Sequence, residues 1–157
     1  RDWEAIRKYH TSYRIDGQIV TAVEYQRRIA AGEGKSFQTP WRDVGYHGGT
    51  EFVNGEVVFS WGRPLSEIGA HAGVKGASNL FNTEYLGLSA VGDFDKAQPK
   101  PEHWEFNLRL TRAFMEGFRI PASHVIGHRE VFDRLGVPRQ KSCPGRLWDV
   151  GLFRSEL

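Results

Sequence analysis

The chain has 157 residues, of which 39% are hydrophobic and 13% aromatic, which suits one globular domain over 1–157. Its 21 Lys and Arg against 19 Asp and Glu give a net charge of +2, and no long basic run argues for nucleic acid as a partner. No apolar stretch reaches the roughly 20 residues that span a bilayer, and no targeting signal is visible, so we expect no membrane insertion. A single cysteine excludes an internal disulfide.

Local patterns in the first half of the chain predict a strand, a helix and a hairpin. Residues Ala5 to His10 are predicted to form a short strand, and Thr21 to Ala31 a helix that begins at a threonine N-cap. Asn54-Gly55 separates two runs, Tyr46 to Val53 and Glu56 to Trp61. Both central positions of a tight hairpin turn need positive φ, so this pair is the strongest short hairpin signal in the chain.

The second half alternates between loop, strand and helix signals. Residues 62 to 84 are rich in Gly, Ser and Asn and lack periodicity, which predicts a long surface loop of functional importance. Pro101 suits the first position of a helix whose apolar residues then recur at helical spacing. The other predicted elements are strands at Tyr85 to Val91 and Ser123 to Gly127, a helix at Arg129 to Leu135 and a helical turn at Leu147 to Phe153. The mixture predicts an α/β fold with a central mixed β-sheet flanked by α-helices.

The lone cysteine, Cys143, follows Lys141 by two residues and is open to three roles: core residue, nucleophile or metal ligand. His10 and His128 each end or follow a predicted strand, so we expect both imidazoles to reach one cleft. Two histidines and a thiolate supply three ligands to a tetrahedral zinc and leave the fourth position for water, as in catalytic zinc sites. An ammonium beside such a metal would stabilise an oxyanion. Residue type and spacing alone leave all three roles of Cys143 open.

Six short sequence motifs, which occur in a fixed order along the chain, allow a more specific interpretation. Together they closely resemble the type-2 N-acetylmuramoyl-L-alanine amidases, the family of phage amidase lysins and peptidoglycan recognition proteins. The resemblance runs from His10 to Trp148, and its strings are Trp41 to His47, Asn54-Gly55, Gly69 to Ala72, Leu88 to Phe94, Gly127 to Glu130 and Lys141 to Gly145.

The resemblance implies a role for each of seven residues. In that family a histidine at the end of the first strand, a histidine after a glycine and a cysteine before a proline hold one zinc ion. The implied zinc ligands here are His10, His128 and Cys143, the implied catalytic residues are Tyr46 and Lys141, and the implied substrate contacts are His71 and Asn79. The run Tyr9 to Ser12 allows two registers, and we prefer the one that makes His10 a ligand because it retains the whole set.

The implied function is zinc-dependent hydrolysis of the amide bond between N-acetylmuramic acid and the first L-alanine of the peptidoglycan stem peptide. We expect a monomeric phage endolysin that acts on peptidoglycan, made in the host cytoplasm and delivered to the cell wall, or otherwise a secreted or periplasmic enzyme. Three alternatives remain open. They are a noncatalytic peptidoglycan-binding module, a thiol hydrolase with Cys143 as nucleophile and His128 as base, and a structural zinc site with His47 or His124 as fourth ligand.

Overall fold

A computed structural model describes residues 2–77 and 79–157 of the chain. Its main sheet is built around β4 (Gly48–Val53), which pairs antiparallel with β5 (Glu56–Trp61) and parallel with β6 (Leu88–Ala90). The strand order is β5-β4-β6, so β6 is an edge strand. The predicted fold class, a mixed sheet flanked by helices, is therefore confirmed.

A second sheet lies in the N-terminal part and was not predicted. It consists of three two-residue strands, β1 (Arg14–Ile15), β2 (Gln18–Ile19) and β3 (Phe37–Gln38), in the order β2-β1-β3. The Asp16 carboxylate accepts hydrogen bonds from two backbone N–H groups beside β3. These two bonds connect the turn between β1 and β2 to the residues that precede β3.

Among the helices that the structure describes, none is long and apolar enough to span a membrane. Their bounds are α1 Trp3–His10, α2 Ala22–Ala30, α3 Leu80–Thr83, α4 Pro101–Phe118, α5 His128–Arg134 and α6 Val150–Ser155, with a 3-10 turn at Ala122–His124. Two of the helices, α1 and α4, pack against the main sheet.

Several local predictions are confirmed. The hairpin turns at Asn54 and Gly55, whose φ values of 50° and 91° are those of a type I′ turn. Thr21 caps α2 by accepting a hydrogen bond from the Glu24 N–H. The long helix α4 begins at Pro101, and the short helix α5 lies within the range predicted for it, apart from its first residue.

The predicted strand at Ala5 to His10 is wrong, because these residues belong to α1. Asp2 starts the helix: its carboxylate accepts a hydrogen bond from the Ala5 N–H at 2.6 Å. Trp3 then buries its indole against the sheet while the polar residues of α1 face outwards. His10 therefore ends a helix and not a strand.

Two further predictions also need correction. Ser123 to Gly127 forms no strand; a 3-10 turn is followed by extended backbone that pairs with no strand among the described residues. Within 62 to 84, Ala72, Val74 and Phe81 are buried and α3 is present, so this segment is partly core. It packs on Phe132 of α5, whose hydrophobic cluster it completes.

A partly buried ion pair connects α5 to α6. Glu130 and Arg154 lie 2.8 Å apart with about a quarter of each side chain exposed, 24% and 27%. Glu130 also accepts a hydrogen bond from the Gly127 N–H at 2.9 Å. Burial alone would raise the pKa of Glu130, but the bonds to Arg154 and Gly127 outweigh it and lower that pKa below its usual 4.5.

We expect Glu130→Gln to be less stable than the wild type by about 1 to 3 kcal/mol at pH 7, because the amide still accepts from Gly127 but no longer pairs with Arg154. The folded-state pKa of Glu130 is lower than the unfolded one. Its contribution is therefore complete above pH 4.5 and is lost as pH falls through the folded value. Urea unfolding of both proteins across pH would measure this difference.

The exposed pair of Asp133 and Arg139 provides the matched control, and Asp133→Asn should change stability less. A stability gap between wild type and Glu130→Gln that stayed constant down to about pH 3 would contradict the assignment.

Candidate active site

A cavity of about 1460 Å³ lies between α1, β6, α4 and α5. It collects most of the residues that the sequence singled out: His10, Tyr46, His71, His128 and Cys143 all line it. Lys141 and Asn79 are exposed and lie outside its lining. Residues far apart in sequence thus meet at one concave surface, and His10 and His128 both reach it.

His10 is held at the end of α1 by aromatic and backbone contacts. Its ring centroid lies 4.7 Å from that of Trp41 and 6.0 Å from that of Tyr46. The Gly45 N–H donates to Nδ1 at 3.1 Å, so the neutral ring carries its proton on Nε2. Burial, helped by the charges of Arg14 and Arg63, lowers the pKa of His10 to about 4. The ring is therefore neutral at pH 7.

His128 is the first residue of α5. Its Nε2 is buried and makes no hydrogen bond within the described part of the chain. Burial, followed by the charge of Lys141, lowers the pKa of His128, so it too is neutral at pH 7. A buried ring nitrogen without a partner is costly unless something binds it.

The loop that carries Cys143 is fixed to α5 by Arg129. The Arg129 N–H donates to the Cys143 carbonyl at 2.8 Å, and the guanidinium donates to the carbonyls of Gly145 and Trp148 at 2.5 and 2.8 Å. This residue follows His128 directly in the Gly-His-Arg-Glu string but was assigned no role from sequence. Its bonds to three carbonyls hold the histidine and the cysteine in one rigid unit.

Cys143 is exposed as a residue, yet desolvation by the surrounding protein raises the pKa of its thiol. The charges of Lys141 and Arg129 oppose that rise without reversing it. A nucleophilic cysteine needs a lowered pKa, so the thiol-hydrolase alternative loses support.

Tyr46 lies between the histidines. Its ring is 6.0 Å from that of His10 and 6.4 Å from that of His71. Burial raises the pKa of its phenol, and the neighbouring Cys143 raises it further. At neutral pH the hydroxyl is therefore protonated and able to donate.

His71 is positioned by a buried asparagine that the sequence did not single out. Asn82 accepts hydrogen bonds from the backbone N–H groups of His71 and Ala72 at 2.9 and 2.8 Å. Asn79 accepts from the Asn82 amide at 2.7 Å, so it supports the loop. Its contact with substrate stays a prediction. His71 Nε2 lies 3.1 Å from the Tyr85 carbonyl, which makes it the donor and leaves Nδ1 unprotonated.

His47 and His124 were the alternatives for a fourth ligand of a structural zinc. His47 is 1% exposed, and both of its ring nitrogens are used: Nδ1 accepts from the Gly87 N–H, and Nε2 donates to the Glu67 carbonyl, each at 2.9 Å. It is a structural residue between two loops. His124 also lines the cavity.

The proposed zinc ligands fit a metal only in part. His128 offers a buried nitrogen that has no partner within residues 2–77 and 79–157, and Cys143 lies on the same cavity. His10 does not fit, because its Nδ1 is occupied by Gly45 and its Nε2 carries the proton. Among the described residues no group of three His, Cys, Asp or Glu side chains is placed to hold a metal.

Comparisons with known structures agree with the fold. Two solved structures match over most of the chain: the N-acetylmuramoyl-L-alanine amidase LysC and the endolysine N-acetylmuramoyl-L-alanine amidase LysCS, both from Clostridium intestinale URNW. Each has a TM-score of 0.58 and 20% identity. The matches cover 90% and 91% of this chain, and 78% and 77% of those chains. No curated protein matches the chain.

The sequence itself matches one family model over residues 2–146, which is most of its length. The description of that family is N-acetylmuramoyl-L-alanine amidase. The match spans the segments that carry His10, Tyr46, His71, His128 and Cys143. The chain therefore belongs to the N-acetylmuramoyl-L-alanine amidase family.

Proposed function

We propose that this chain is a zinc-dependent hydrolase that cleaves the amide bond between N-acetylmuramic acid and the L-alanine of the peptidoglycan stem peptide. The family supports the reaction. The observation that carries the site is the buried, unpartnered Nε2 of His128 on the cavity that Cys143 also lines. These two residues are the proposed zinc ligands, and His10 would join them only if its ring released Gly45.

Tyr46 and Lys141 are the proposed catalytic residues. The scissile carbonyl gains negative charge when it is attacked, and a protonated phenol on the cavity wall is a suitable donor to it. Lys141 carries a positive charge that acts on both His128 and Cys143, and its proposed role is to stabilise the same negative charge. Either residue would also serve to protonate the departing amine.

His71 is proposed to orient the stem peptide. Its Nε2 is committed to Tyr85, and burial lowers its pKa to about 4, so Nδ1 stays an acceptor at neutral pH. A peptide N–H of the substrate is the matching donor. Asn79, on the neighbouring exposed surface, is the second proposed contact.

We further propose that the protein acts as a phage endolysin, made in the cytoplasm and active on the cell wall. One of the matching structures is itself described as an endolysine, which supports this role. The chain's net charge of +2 suits an anionic wall polymer.

A noncatalytic peptidoglycan-binding module is the second candidate. The observation in its favour is that His10 offers no free lone pair, which leaves two fitting metal ligands among the proposed three. The retention of Cys143 and Lys141 favours the enzyme.

The decisive measurement is release of stem peptide from purified peptidoglycan, with and without a chelator. We expect free amino groups of L-alanine to appear, the chelator to abolish their release, and added Zn²⁺ to restore it. Full activity after complete removal of zinc would eliminate the metal-dependent mechanism. Binding to peptidoglycan without any release would identify the chain as a binding module.

Tyr46→Phe should lower kcat by about 10²-fold, because one donor to the oxyanion is lost while the aromatic ring still packs between His10 and His71. KM should change little. Steady-state kinetics on soluble peptidoglycan fragments provide the test. Tyr25→Phe, at a buried tyrosine packed on Tyr13 and Phe37, is the control and should leave kcat unchanged. Equal loss in both variants would show a general effect of removing a phenol.

Metal content should separate the two residues of the cysteine loop. Cys143→Ala is expected to lose zinc and activity together, whereas Lys141→Ala should keep zinc and lose turnover, since only the thiolate is a proposed ligand. Zinc per chain after dialysis can be counted by atomic emission. Zinc bound by Cys143→Ala as tightly as by the wild type would mean that the ligand set is wrong.

A further inference from the structure

The loop that carries Cys143 is held on one side by Arg129 and on the other side by the segment that follows β6. Arg129 donates to carbonyl oxygens of the loop, including those of Cys143 and Gly145. From the opposite side, the Phe94 carbonyl accepts a hydrogen bond from the Leu147 N–H at 2.8 Å. The loop therefore lies between two fixed parts of the fold.

Phe94 and Gly145 determine how closely the two segments approach. Phe94 is 6% exposed, and its ring packs on that of Trp148 with 4.9 Å between the ring centroids. A Cβ atom at Gly145 would lie 2.5 Å from the carbonyl carbon of Phe94, and Gly145 has a φ of 126°, in the region that favours glycine. This close approach brings Asp95, the residue after Phe94, against the loop.

Asp95 binds the loop through both oxygens of its carboxylate. Oδ2 accepts a hydrogen bond from the Ser142 hydroxyl at 2.5 Å, and Oδ1 accepts one from the Arg146 N–H at 2.8 Å. The Arg146 guanidinium adds an ion pair, with its Nε 3.4 Å from Oδ1. The hydrogen bond from Ser142, followed by that from the Arg146 N–H, lowers the pKa of Asp95 below its usual 3.8. The carboxylate is therefore charged at neutral pH and accepts both bonds.

The two hydrogen bonds lie on either side of Cys143, and we call them the Asp95 clamp. Ser142 directly precedes the cysteine, and Arg146 follows it by three residues. One carboxylate thus fixes both ends of the segment 143–145. Bonds to a charged acceptor are stronger than those between neutral groups, and two of them on one carboxylate also define geometry. The loop has its carbonyl groups bound from the α5 side and its donor groups bound from the β6 side.

We propose that Asp95 is a positioning residue for Cys143, whose carboxylate keeps the thiol on the cavity that His128 also lines. Asp95 is not among the described residues that line this cavity, so it acts through Ser142 and Arg146 and not on a bound molecule. The importance of this position for catalysis rests on the proposed function, whereas the positioning itself does not.

Asp93 supplies the matched control. It lies two residues before Asp95 and pairs with Lys96 at 3.0 Å, with 57% of its side chain exposed. Its partner belongs to its own turn and not to the cysteine loop. Exposed pairs of this kind contribute little. Asp93→Ala therefore removes a carboxylate from the same segment and leaves the Asp95 clamp in place.

The test is the rate at which iodoacetamide alkylates Cys143, the single cysteine, at one pH and with a chelator present so that no metal protects the thiol. Asp95→Ala removes both acceptors, so the loop should open more often and alkylation should be at least about threefold faster than in the wild type. Asp95→Asn should stay within about twofold of the wild type, because its amide still accepts from Arg146 and can donate to Ser142. Asp93→Ala should leave the rate unchanged.

The asparagine variant separates position from charge. Alanine and asparagine both remove the negative charge near the thiol, so a purely electrostatic effect would make the two variants alike. Equal acceleration in Asp95→Asn and Asp95→Ala would overturn the proposal, and so would an unchanged rate in both.

Amide hydrogen exchange on the same variants shows whether the Asp95 clamp has opened. Exchange at Arg146 should be faster by about threefold or more in Asp95→Ala and unchanged in Asp93→Ala. Faster exchange at Arg146 with an unchanged alkylation rate would show that the clamp does not position Cys143. If Asp95→Ala fails to fold, Ser142→Ala, which removes one of the two bonds, should still accelerate alkylation, and an unchanged rate would overturn the proposal.

Peptidoglycan hydrolysis tests the link to the proposed function. Asp95→Ala should lower kcat by about threefold or more at unchanged KM, and Asp95→Asn should retain the wild-type value. Faster alkylation with an unchanged kcat would overturn this link, because Cys143 would then need no fixed position for turnover. Alkylation and hydrogen exchange involve neither zinc nor peptidoglycan, so failure of the clamp and failure of the amidase proposal are distinguishable.

Discussion

The packing of Trp3 against β4 is the contact that positions one side of the candidate site. Trp3 is 1% exposed, and its ring lies where any side chain at Gly49 would stand. Its backbone N–H also donates to the Glu51 carboxylate at 2.9 Å. The glycine at position 49 of β4 thus lets α1 approach the sheet closely. Because α1 is fixed in this way, its last residue, His10, is carried to the cavity wall beside Tyr46.

Arg129 positions the opposite wall of the cavity, which carries His128 and Cys143. A single guanidinium joins the start of α5 to the loop of Cys143 and to the Trp148 carbonyl. Glu130, the next residue, joins the same helix to α6 through Arg154. The two walls are therefore organised differently. One depends on close packing of an aromatic ring, which is short-ranged, and the other on charge-assisted hydrogen bonds to backbone carbonyls. Only the second holds two candidate ligands in one unit.

The sequence predicted elements whose signal is local and missed those decided by tertiary pairing. The sequence predicts the Asn54-Gly55 hairpin and the helix at Pro101 because the residues that determine the turn and the helix start are neighbours in sequence. The six residues of mixed polarity from Ala5 to His10 fit the period of a strand as well as that of a helix. The N-cap at Asp2, which lies outside this run, starts the helix. The small sheet was missed because two-residue strands carry almost no periodic signal.

The same distinction between local sequence signals and tertiary contacts applies to the site residues. His128, Cys143, Tyr46 and His71, which the sequence motifs single out, all line one cavity. Sequence did not show which ring nitrogens are free, because that depends on backbone groups such as Gly45 and Gly87 that fold against them. His47 adjoins Tyr46 in sequence, yet both of its nitrogens are consumed by loop carbonyl and amide groups. Asn82 gave no signal because its role is to bond the backbone of His71.

Burial sets the protonation state of the imidazoles in the candidate site. Burial lowers the pKa of His10 and His71 to about 4 each and lowers that of His128 as well, so three imidazoles on this cavity are neutral at pH 7. His71 and His128 thus offer lone pairs to a metal or a peptide N–H, whereas His10 does not, because Gly45 occupies its Nδ1. Lys141 adds its positive charge, which acts on His128 and Cys143. A ligand bound in this cavity would remove more water from these groups and strengthen every charge interaction among them.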